Sequence, residues 1–410
     1  MADKKKLRVG VIGHGSRGGG MLKLLLTFPE IEVVSVCDSY GDRAEEAAAR
    51  VLEKRGVRPY ATTDAIELLD RGGIDAVFLF TAWEYHINLA CEAMERGIAV
   101  GLEVGGAYAV EDCWKLVDTA ERTKTPFMLL ENCCFNRTEL VVTAMARAGV
   151  FGEIVHCAGA YAHDLRSEVA HGRENRHYRL RNYLNRCCEN YPTHEFGPIA
   201  KLLGINRGNR VLSVTSVASS AKGLNAYAKD NPDTVDPALR DATFRQGDVV
   251  TTLITCAGGQ TVTLRLDTTL PRYYDREFTV RGTKGMYEMG PNMVYLDGME
   301  EHFSTIKTYQ KYLNNAKEYE DKYLPAFWRN ISKEELAAGH GGMDAIELRI
   351  FIDCLLTGKE MPIDAYDAAT WMAITALSER SIALGGMPQE MPDFTRGKWT
   401  MRPLSDVVPL

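Results

Sequence analysis

Three glycines at fixed spacing, directly after a short apolar strand, constrain this chain more than any other feature. Leu7–Ile12 reads Leu-Arg-Val-Gly-Val-Ile, and Gly13-His-Gly-Ser-Arg-Gly18 follows without a linker. A helical pattern, Met21-Leu-Lys-Leu-Leu-Leu, comes next. A strand, a glycine turn and a helix in this order predict the first unit of a doubly wound parallel sheet.

The glycines, together with an acid further along, predict a dinucleotide site. Gly13 permits a tight turn, Gly15 lets the backbone approach a pyrophosphate, and Gly18 allows the helix to pack closely on the strand. The phosphates then bind free N–H groups at the positive end of the helix. Asp38 ends the second strand about 20 residues after the last glycine, where a carboxylate accepts hydrogen bonds from the adenosine ribose.

Asp38 also bears on which dinucleotide binds. A 2′-phosphate at this point would meet a carboxylate and be repelled, so the sequence favours NAD over NADP. Arg43 is the counter-argument, because a nearby arginine can accept that phosphate. We predict NAD.

The alternation of strands and helices continues to about residue 130 and then changes. Beyond Asn132 the strands are longer, and several alternate apolar and polar residues, as in Thr261–Asp267. This pattern is typical of an antiparallel or mixed sheet with one covered face. We therefore predict an α/β protein with an N-terminal Rossmann domain (residues 1–134, a doubly wound parallel sheet). An α+β domain with an open, largely antiparallel sheet follows at residues 135–410.

The second domain is expected to bind the substrate and to support self-association through its open sheet, as a dimer or a tetramer. Residues 219–241 are polar, contain two prolines and are predicted to form a long surface loop. A helix is expected at 197–203, directly after His194.

Composition excludes several classes of protein. A net charge of −7 argues against a dedicated nucleic-acid binder, which normally carries a basic stripe. No apolar run reaches the roughly 20 residues of a membrane helix. The basic start lacks the apolar core and cleavage site of a signal peptide, so we expect a cytoplasmic protein. The ten cysteines form no C-x-x-C pair and are expected to be reduced.

Polar residues that follow strand ends are expected to complete the cofactor cleft. These lie at Thr81–His86, at Glu103 and Val104, and at Glu131 and Asn132. Trp83 and His86 have an alternative role in core packing. The spacing of the histidines after residue 160 matches no zinc motif, and we predict no catalytic metal.

Several strings resemble the Gfo/Idh/MocA oxidoreductases and, more closely, glycoside hydrolase family 109, the NAD-dependent α-N-acetylgalactosaminidases and their relatives. The resemblance covers nearly the whole chain, and Tyr-Pro-Thr-His is its most specific part. The strings are Thr81-Ala-Trp-Glu-Tyr-His86, Glu111-Asp-Cys-Trp-Lys-Leu-Val-Asp-Thr-Ala120, Leu130-Glu-Asn-Cys-Cys134, His163-Asp-Leu-Arg166, Tyr191-Pro-Thr-His194 and Gly339-His-Gly-Gly-Met-Asp344.

The resemblance implies two sets of binding residues. The set implied for NAD is Ser16, Arg17, Asp38, Trp83, Glu84, Tyr85, His86, Glu103, Val104 and Asn132. The set implied for a sugar is Tyr161, Arg179, Tyr191, Pro192, Thr193, His194 and Tyr274. The last of these is uncertain by one position, because Tyr273 is adjacent.

The resemblance also implies a chemistry. Tightly bound NAD⁺ oxidises the sugar C3 hydroxyl, which acidifies the C2 proton; the group at C1 is eliminated, water adds, and the cofactor is recycled.

Ordinary dehydrogenases of the superfamily carry Glu-Lys-Pro where this chain has Glu103-Val-Gly105, so another base must replace the lysine. A second departure is Glu195-Phe-Gly-Pro198, where glycine-leucine-glycine-proline is expected, and it leaves the sugar specificity open.

Among the residues themselves, His194 is the best candidate for the base at C3, because histidine titrates near neutral pH. Tyr161 or His163 would handle the C2 proton or the leaving oxygen. Asp164 and Arg166 are expected to pair with each other. The main alternative function is an NAD-dependent sugar, glycoside or cyclitol dehydrogenase that releases NADH. A nucleotide-sensing binding protein without activity is a third hypothesis.

Overall fold

The computed structural model describes residues 6–299, 310–337 and 339–410, which divide into two compact units. The first unit lies within Met1–Asn132 and Ile331–Ala369, and the second within Cys133–Asn330 and Thr370–Leu410. The chain thus leaves the first unit at Asn132 and returns to it, whereas the sequence prediction contains a single division after residue 134. The basic start, residues 1–5, lies outside the described residues.

The first unit contains a six-stranded parallel sheet in the order β3-β2-β1-β4-β5-β6. Its strands are β1 (Leu7–Ile12), β2 (Ile31–Cys37), β3 (Tyr60–Thr62), β4 (Ala76–Leu79), β5 (Ala99–Glu103) and β6 (Phe127–Leu130). Its connecting helices are α1 (Ser16–Leu25), α2 (Gly41–Arg55), α3 (Ala65–Asp70), α4 (His86–Glu95) and α5 (Val110–Thr123). The order reverses at β1, which confirms the predicted Rossmann architecture.

The strands β4, β5 and β6 are buried along their whole length, as expected where helices cover both faces of a parallel sheet. All four residues of β4, Ala-Val-Phe-Leu, are buried, and so are all four of β6. The returning segment packs on the same unit: the Phe351 ring meets the Phe78 ring at 5.1 Å between centroids, and the Ile363 carbonyl accepts a hydrogen bond from the Leu129 N–H.

The second unit is built on a mixed sheet in the order β13-β12-β11-β7-β10-β9-β8-β14. The pair β10–β7 is parallel and the other neighbours are antiparallel. The strands are β7 (Ile154–Ala162), β8 (Val211–Ala218), β9 (Val249–Cys256), β10 (Thr261–Asp267), β11 (Thr279–Gly282), β12 (Gly285–Glu288), β13 (Met293–Leu296) and β14 (Gln389–Glu390). This agrees with the predicted open, largely antiparallel sheet.

The helices beyond β6 complete the described chain. They are α6 (Arg137–Arg147), α7 (Arg166–Ala170), α8 (Arg179–Asn185), α9 (Pro192–Leu202), α10 (Gly223–Asp230), α11 (Glu320–Tyr323), α12 (Ala326–Arg329), α13 (Lys333–Ala337), α14 (Met343–Thr357) and α15 (Ala365–Ala383).

Two local predictions were wrong. The segment predicted as a long surface loop contains α10 and a 3₁₀ turn at Pro237–Arg240, because Leu224 and Leu239 are buried there. The helix expected at 197–203 begins earlier, with Pro192 at its first position, where the missing N–H costs nothing. His194 therefore lies inside the first turn of α9.

The remaining expectations concern disulfides and membrane-spanning helices. All ten cysteines are free of disulfides. Within the described residues, no helix is both long enough and apolar enough to cross a bilayer.

Candidate active site

The glycine turn between β1 and α1 has the geometry that its sequence predicts. Gly13 adopts a φ of +98°, and a Cβ on it would lie 2.4 Å from the Phe80 carbonyl oxygen. A Cβ on Gly18 would lie 2.0 Å from the Gly13 carbonyl oxygen. At Gly15 a Cβ would have only an ordinary contact of 3.7 Å with Arg43, so protein packing does not demand a glycine there. A ligand that approaches the backbone at Gly15 would demand a glycine there, because a side chain would occupy its space.

Asp38 is buried at the end of β2 and is held by the backbone. Its carboxylate accepts hydrogen bonds from the His14 N–H at 2.7 Å and the Tyr40 N–H at 3.0 Å. Each oxygen has a further lone pair for a ribose hydroxyl. Arg43 is the residue whose presence counts in favour of NADP. Its guanidinium carbon lies 5.1 Å from the Tyr40 ring centroid.

The segment Trp83–His86 combines buried and exposed side chains. Trp83 and His86 are buried, Glu84 is half-buried, and Tyr85 is exposed. The His86 Nε2 lies 2.9 Å from the Thr81 carbonyl oxygen, and burial lowers the pKa of His86 to about 4. The ring is therefore neutral and donates this hydrogen bond. A Cβ on Gly105 would lie 2.4 Å from the Trp83 ring, which explains a glycine at this position.

Glu103, at the end of β5, and Asn132, just after β6, belong to one hydrogen-bonded group with Arg17 and Asp344. The Glu103 carboxylate accepts a hydrogen bond from the Arg17 Nε at 2.8 Å and one from the Val104 N–H at 3.2 Å. Arg17 also contacts Asp344, which in turn accepts a hydrogen bond from the Asn132 side-chain amide. Ser16, at the first position of α1, is exposed.

In the second unit, three residues implied for the sugar form one aromatic cluster. The Tyr161 and Tyr191 ring centroids are 4.4 Å apart, and the His194 ring lies 5.6 Å from Tyr161 and 4.7 Å from Tyr191. Tyr161 comes from the end of β7, and the other two come from the start of α9. Pro192 and Thr193, between them in sequence, are buried.

Arg179 places a buried positive charge against this cluster. Its guanidinium carbon lies 5.0 Å from the Tyr191 ring centroid and 5.9 Å from that of Tyr161. Its Nε pairs with the Glu168 carboxylate at 2.8 Å. Arg181, two positions further on in the same helix, is exposed, whereas Arg179 is buried.

His163 extends the cluster toward Tyr274. Its ring lies 5.9 Å from Tyr161 and 5.2 Å from Tyr274. Tyr273 is 76% exposed and lies against Arg272 instead, so Tyr274 is the better candidate of the two adjacent tyrosines. The expected pair of Asp164 and Arg166 is present, with hydrogen bonds of 2.8 and 2.7 Å.

Burial sets the proton affinities of this cluster in opposite directions. It raises the pKa of the Tyr161 hydroxyl to about 12, although the Arg179 charge opposes the shift. Burial also lowers the pKa of His163. At neutral pH the tyrosine therefore keeps its proton and can donate it, while the histidine is neutral and can accept one.

Beneath the Tyr-Pro-Thr-His turn lies a pair of buried carboxyl groups. Burial raises the pKa of Glu189 to about 7. Burial and the Glu189 charge hold the pKa of Glu195 well above its usual value. Both side chains are fully buried, so Glu195, the residue that departs from the family pattern, lies in the protein interior.

Two residues of these groups, Glu168 and Asp344, have no role that could be predicted from the sequence. Glu168 pairs with Arg179, and no motif marks it. Asp344 contacts Arg17 from the distant string Gly339-His-Gly-Gly-Met-Asp344, which belongs to the family resemblance without a role for its aspartate.

The first unit fits an NAD cofactor, on the evidence of its glycine turn and of the buried, backbone-held Asp38. The fold and this site together define the class of the protein: an enzyme built on the Gfo/Idh/MocA oxidoreductase fold. The model of an oxidoreductase family with an NAD-binding Rossmann fold matches residues 7–130. The model of the glycosyl hydrolase 109 C-terminal domain matches residues 135–401.

Curated relatives support the same assignment over nearly the full length. A glycosyl hydrolase family 109 protein of Stenotrophomonas maltophilia (strain K279a) is 37% identical, covering 98% of this chain and 92% of the relative. An α-N-acetylgalactosaminidase of Tannerella forsythia is 36% identical, covering 97% and 88%. The chain belongs to glycoside hydrolase family 109, and it is an NAD-dependent enzyme of the glycoside hydrolase or oxidoreductase type.

Solved structures share the fold at low sequence identity. Scyllo-inositol dehydrogenase from Lactobacillus casei, with bound NAD(H) and scyllo-inositol, gives a TM-score of 0.66 at 14% identity, covering 94% of this chain and 99% of that one. An NAD-binding oxidoreductase from Klebsiella pneumoniae gives a TM-score of 0.67 at 16% identity, covering 94% and 99%.

Proposed function

We propose that this protein is an NAD-recycling glycosidase that cleaves its substrate through transient oxidation at the sugar C3. The observation that carries the proposal is the Tyr161–Tyr191–His194 cluster, which supplies acid–base groups in a chain whose Glu103-Val-Gly105 lacks the lysine of ordinary dehydrogenases. Bound NAD⁺ supplies the oxidant for the C3 hydroxyl and, as NADH, returns the same hydride.

His194 is proposed to take the proton of the C3 hydroxyl as that carbon is oxidised, and to return it when C3 is reduced again. Histidine is suited to both directions because a ring nitrogen can accept a proton and give it back. Its contact with two tyrosine rings restricts its orientation, which a base in hydrogen-bond reach of one hydroxyl requires.

Oxidation at C3 acidifies the C2 proton, and the neutral His163 is proposed to accept it. Tyr161, which keeps its proton, donates to the oxygen that leaves C1. Before C2 is protonated again, the proton held by His163 exchanges with solvent. Water then adds at C1, C2 regains this exchanged proton from His163, and Tyr161 recovers its proton from the water. The reverse assignment, with Tyr161 at C2, requires a deprotonated tyrosine, which burial disfavours.

Arg179, Tyr191 and Tyr274 are proposed to hold the sugar. A buried guanidinium stacked on Tyr191 offers fixed donors to hydroxyl or carbonyl oxygens of the substrate, and its pairing with Glu168 limits its movement. Given the relative from Tannerella forsythia, an α-linked N-acetylgalactosamine is the first substrate to test.

The alternative function is a sugar or cyclitol dehydrogenase, which the fold of the solved structures favours. The two functions differ in the fate of the cofactor. A recycling glycosidase keeps its NAD through each turnover, whereas a dehydrogenase releases NADH. We propose that NAD stays bound.

The experiment is to incubate the purified protein with p-nitrophenyl α- and β-glycosides, with and without added NAD⁺. Release of nitrophenol without net NADH supports the glycosidase. Stoichiometric NADH with an intact glycoside overturns it in favour of the dehydrogenase. Neither product, together with normal NAD binding, would favour the nucleotide-sensing hypothesis.

We also propose that the protein self-associates through the open face of the second sheet. Val217 and Leu253 are exposed there, at 56% and 54%, among threonines on β9 and β10. Exposed branched residues on a sheet face are better accounted for by a second copy of the chain than by water.

A further inference from the structure

Asp344 connects three side chains around the glycine turn. Its carboxylate accepts hydrogen bonds from the Arg17 Nη1 at 2.7 Å and Nη2 at 3.1 Å. It accepts another from the Asn132 side-chain amide at 2.7 Å. The His340 Nδ1 lies 2.9 Å from it and donates a fourth. Arg17 and Asn132 are both residues that the resemblance implies for NAD, and Asp344 ties them together.

The charge of this carboxylate is maintained although only 2% of the side chain is exposed. Burial favours the neutral acid, but the hydrogen bond from His340 and the charge of Arg17 hold the pKa of Asp344 below its usual value. One turn along α14, burial and the Asp344 charge raise the pKa of Glu347 well above its usual value. Burial therefore favours the protonated form of Glu347, while Asp344 makes the hydrogen bonds to Arg17.

The string Gly339-His-Gly-Gly-Met-Asp344 builds the turn that brings this carboxylate to Arg17. A Cβ on Gly339 would lie 2.3 Å from the Asp344 Oδ2, so only glycine leaves room for the carboxylate. His340, Gly341 and Gly342 have φ values of +50°, +65° and +95°. Three successive left-handed residues are costly for any sequence without glycine, and they start α14 with Asp344 facing α1.

A structural role alone would not require this arrangement. A buried ion pair is often no more stabilising than apolar residues of the same volume, because both charges must be removed from water. The pair also immobilises an arginine in the glycine turn, which is the part of the fold that binds the pyrophosphate.

We propose that Asp344 is a positioning residue for the cofactor, which fixes Arg17 and Asn132 in the orientation that binds NAD. This rests on the assignment of those two residues to NAD and is independent of the proposed glycosidase chemistry. Through Asp344, the string Gly339-His-Gly-Gly-Met-Asp344 then connects the returning segment to the glycine turn within one compact unit.

The first test measures the Kd for NAD⁺ by equilibrium dialysis against radiolabelled NAD⁺. In Asp344→Asn the carboxylate charge is lost and the shape is kept, and we expect binding to weaken about 10-fold or more, as for other buried charge pairs that lose one partner. Asp353→Asn, on the exposed end of the same helix, is the matched control and should bind like the wild type. Equal Kd values for wild type and Asp344→Asn would overturn the proposal.

A double-mutant cycle separates positioning from simple destabilisation. If Asp344 acts mainly through Arg17, then Asp344→Asn should weaken binding by less than about 3-fold when Arg17→Met is already present. The same loss in both backgrounds would overturn the proposed route through Arg17. Thermal unfolding of each variant shows whether the protein is folded during the measurement.

Gly339→Ala is the second variant, for the case in which Asp344→Asn does not fold. It displaces the same carboxylate without removing its charge, and should weaken NAD⁺ binding in the same direction. A lower melting temperature with an unchanged Kd would assign Asp344 a structural role only and would overturn the proposal. The Kd values for NAD⁺ do not depend on turnover of a glycoside, so they test Asp344 even if the glycosidase assay fails.

Discussion

At the scale of single residues, His194 carries the proposed oxidation step and Arg179 the proposed sugar binding, both against Tyr161 and Tyr191. His194 could be singled out because Tyr-Pro-Thr-His is a specific string, and the structure brings it next to Tyr161, 33 positions earlier in the chain. The Glu168 partner of Arg179 could not be predicted, since an isolated glutamate in a polar segment carries no pattern. The burial of Glu195 could not be predicted either, because it depends on tertiary packing of α9.

Replacing the proposed base tests the central residue. His194→Ala should reduce turnover by about 10² to 10⁴, the usual contribution of general acid–base catalysis, while NAD remains bound. Turnover and bound NAD are measured on the same preparation. The control is His171→Ala. His171 lies in the same unit, and its ring forms a hydrogen bond with the Ser167 carbonyl oxygen. Near-normal turnover in His194→Ala would remove His194 from this role.

The buried carboxyl pair predicts a pH dependence of stability. Glu189 and Glu195 have raised pKa values when folded, so the native state binds more protons than the unfolded state above pH 4.5. Stability should therefore fall as the pH rises through about 7, by at most about 1.4 kcal/mol per pH unit for each proton. In Glu195→Gln the free energy of unfolding should fall less as the pH rises, because one of the two carboxyl groups is absent.

The measurement is the free energy of unfolding in urea at pH 6 and pH 9. The difference between the two values should be smaller in Glu195→Gln than in the wild type. Glu153→Gln, at an exposed position before β7, should behave like the wild type. An unchanged difference in Glu195→Gln would show that this carboxyl does not carry the raised pKa.

At the scale of elements, strongly patterned segments were predicted well and short ones were not. The bounds of β10 match the alternating segment Thr261–Asp267 because one covered face imposes a period of two. The two-residue strand β14 and the helix α10 have too few residues for a period to be visible. The return of the α14 segment to the first unit is a long-range contact that no local pattern encodes.

The glycine turn offers a test with an internal control. Gly18→Ala places a Cβ 2.0 Å from the Gly13 carbonyl and should distort the turn, with loss of NAD⁺ binding. Gly20→Ala, in the same helix with no atom within 4 Å of the new Cβ, should bind NAD⁺ normally. It should also be more stable by about 0.5–1 kcal/mol, since alanine is the better helix former. Dialysis and urea unfolding measure both effects, and normal binding in Gly18→Ala would contradict the account.

At the scale of the whole molecule, the sequence predicted the fold class because both sheet types leave distinct hydrophobic patterns. Self-association belongs to this scale and is tested by Leu253→Lys, which places a charge on the open sheet face. The molar mass from light scattering should fall relative to the wild type. Val57→Lys, on an exposed residue of the first unit, should leave it unchanged. A wild type that is already monomeric would contradict the proposed interface.

The proposal of transient oxidation is tested most directly by running the cleavage in D₂O with the glycoside that is turned over fastest. Elimination and readdition remove the C2 proton and replace it from solvent, so the released sugar should carry deuterium at C2, seen as loss of its C2 proton signal by NMR. Glycosidic cleavage by paired carboxylates never breaks the C2–H bond. A released sugar that keeps its original C2 proton would contradict the account.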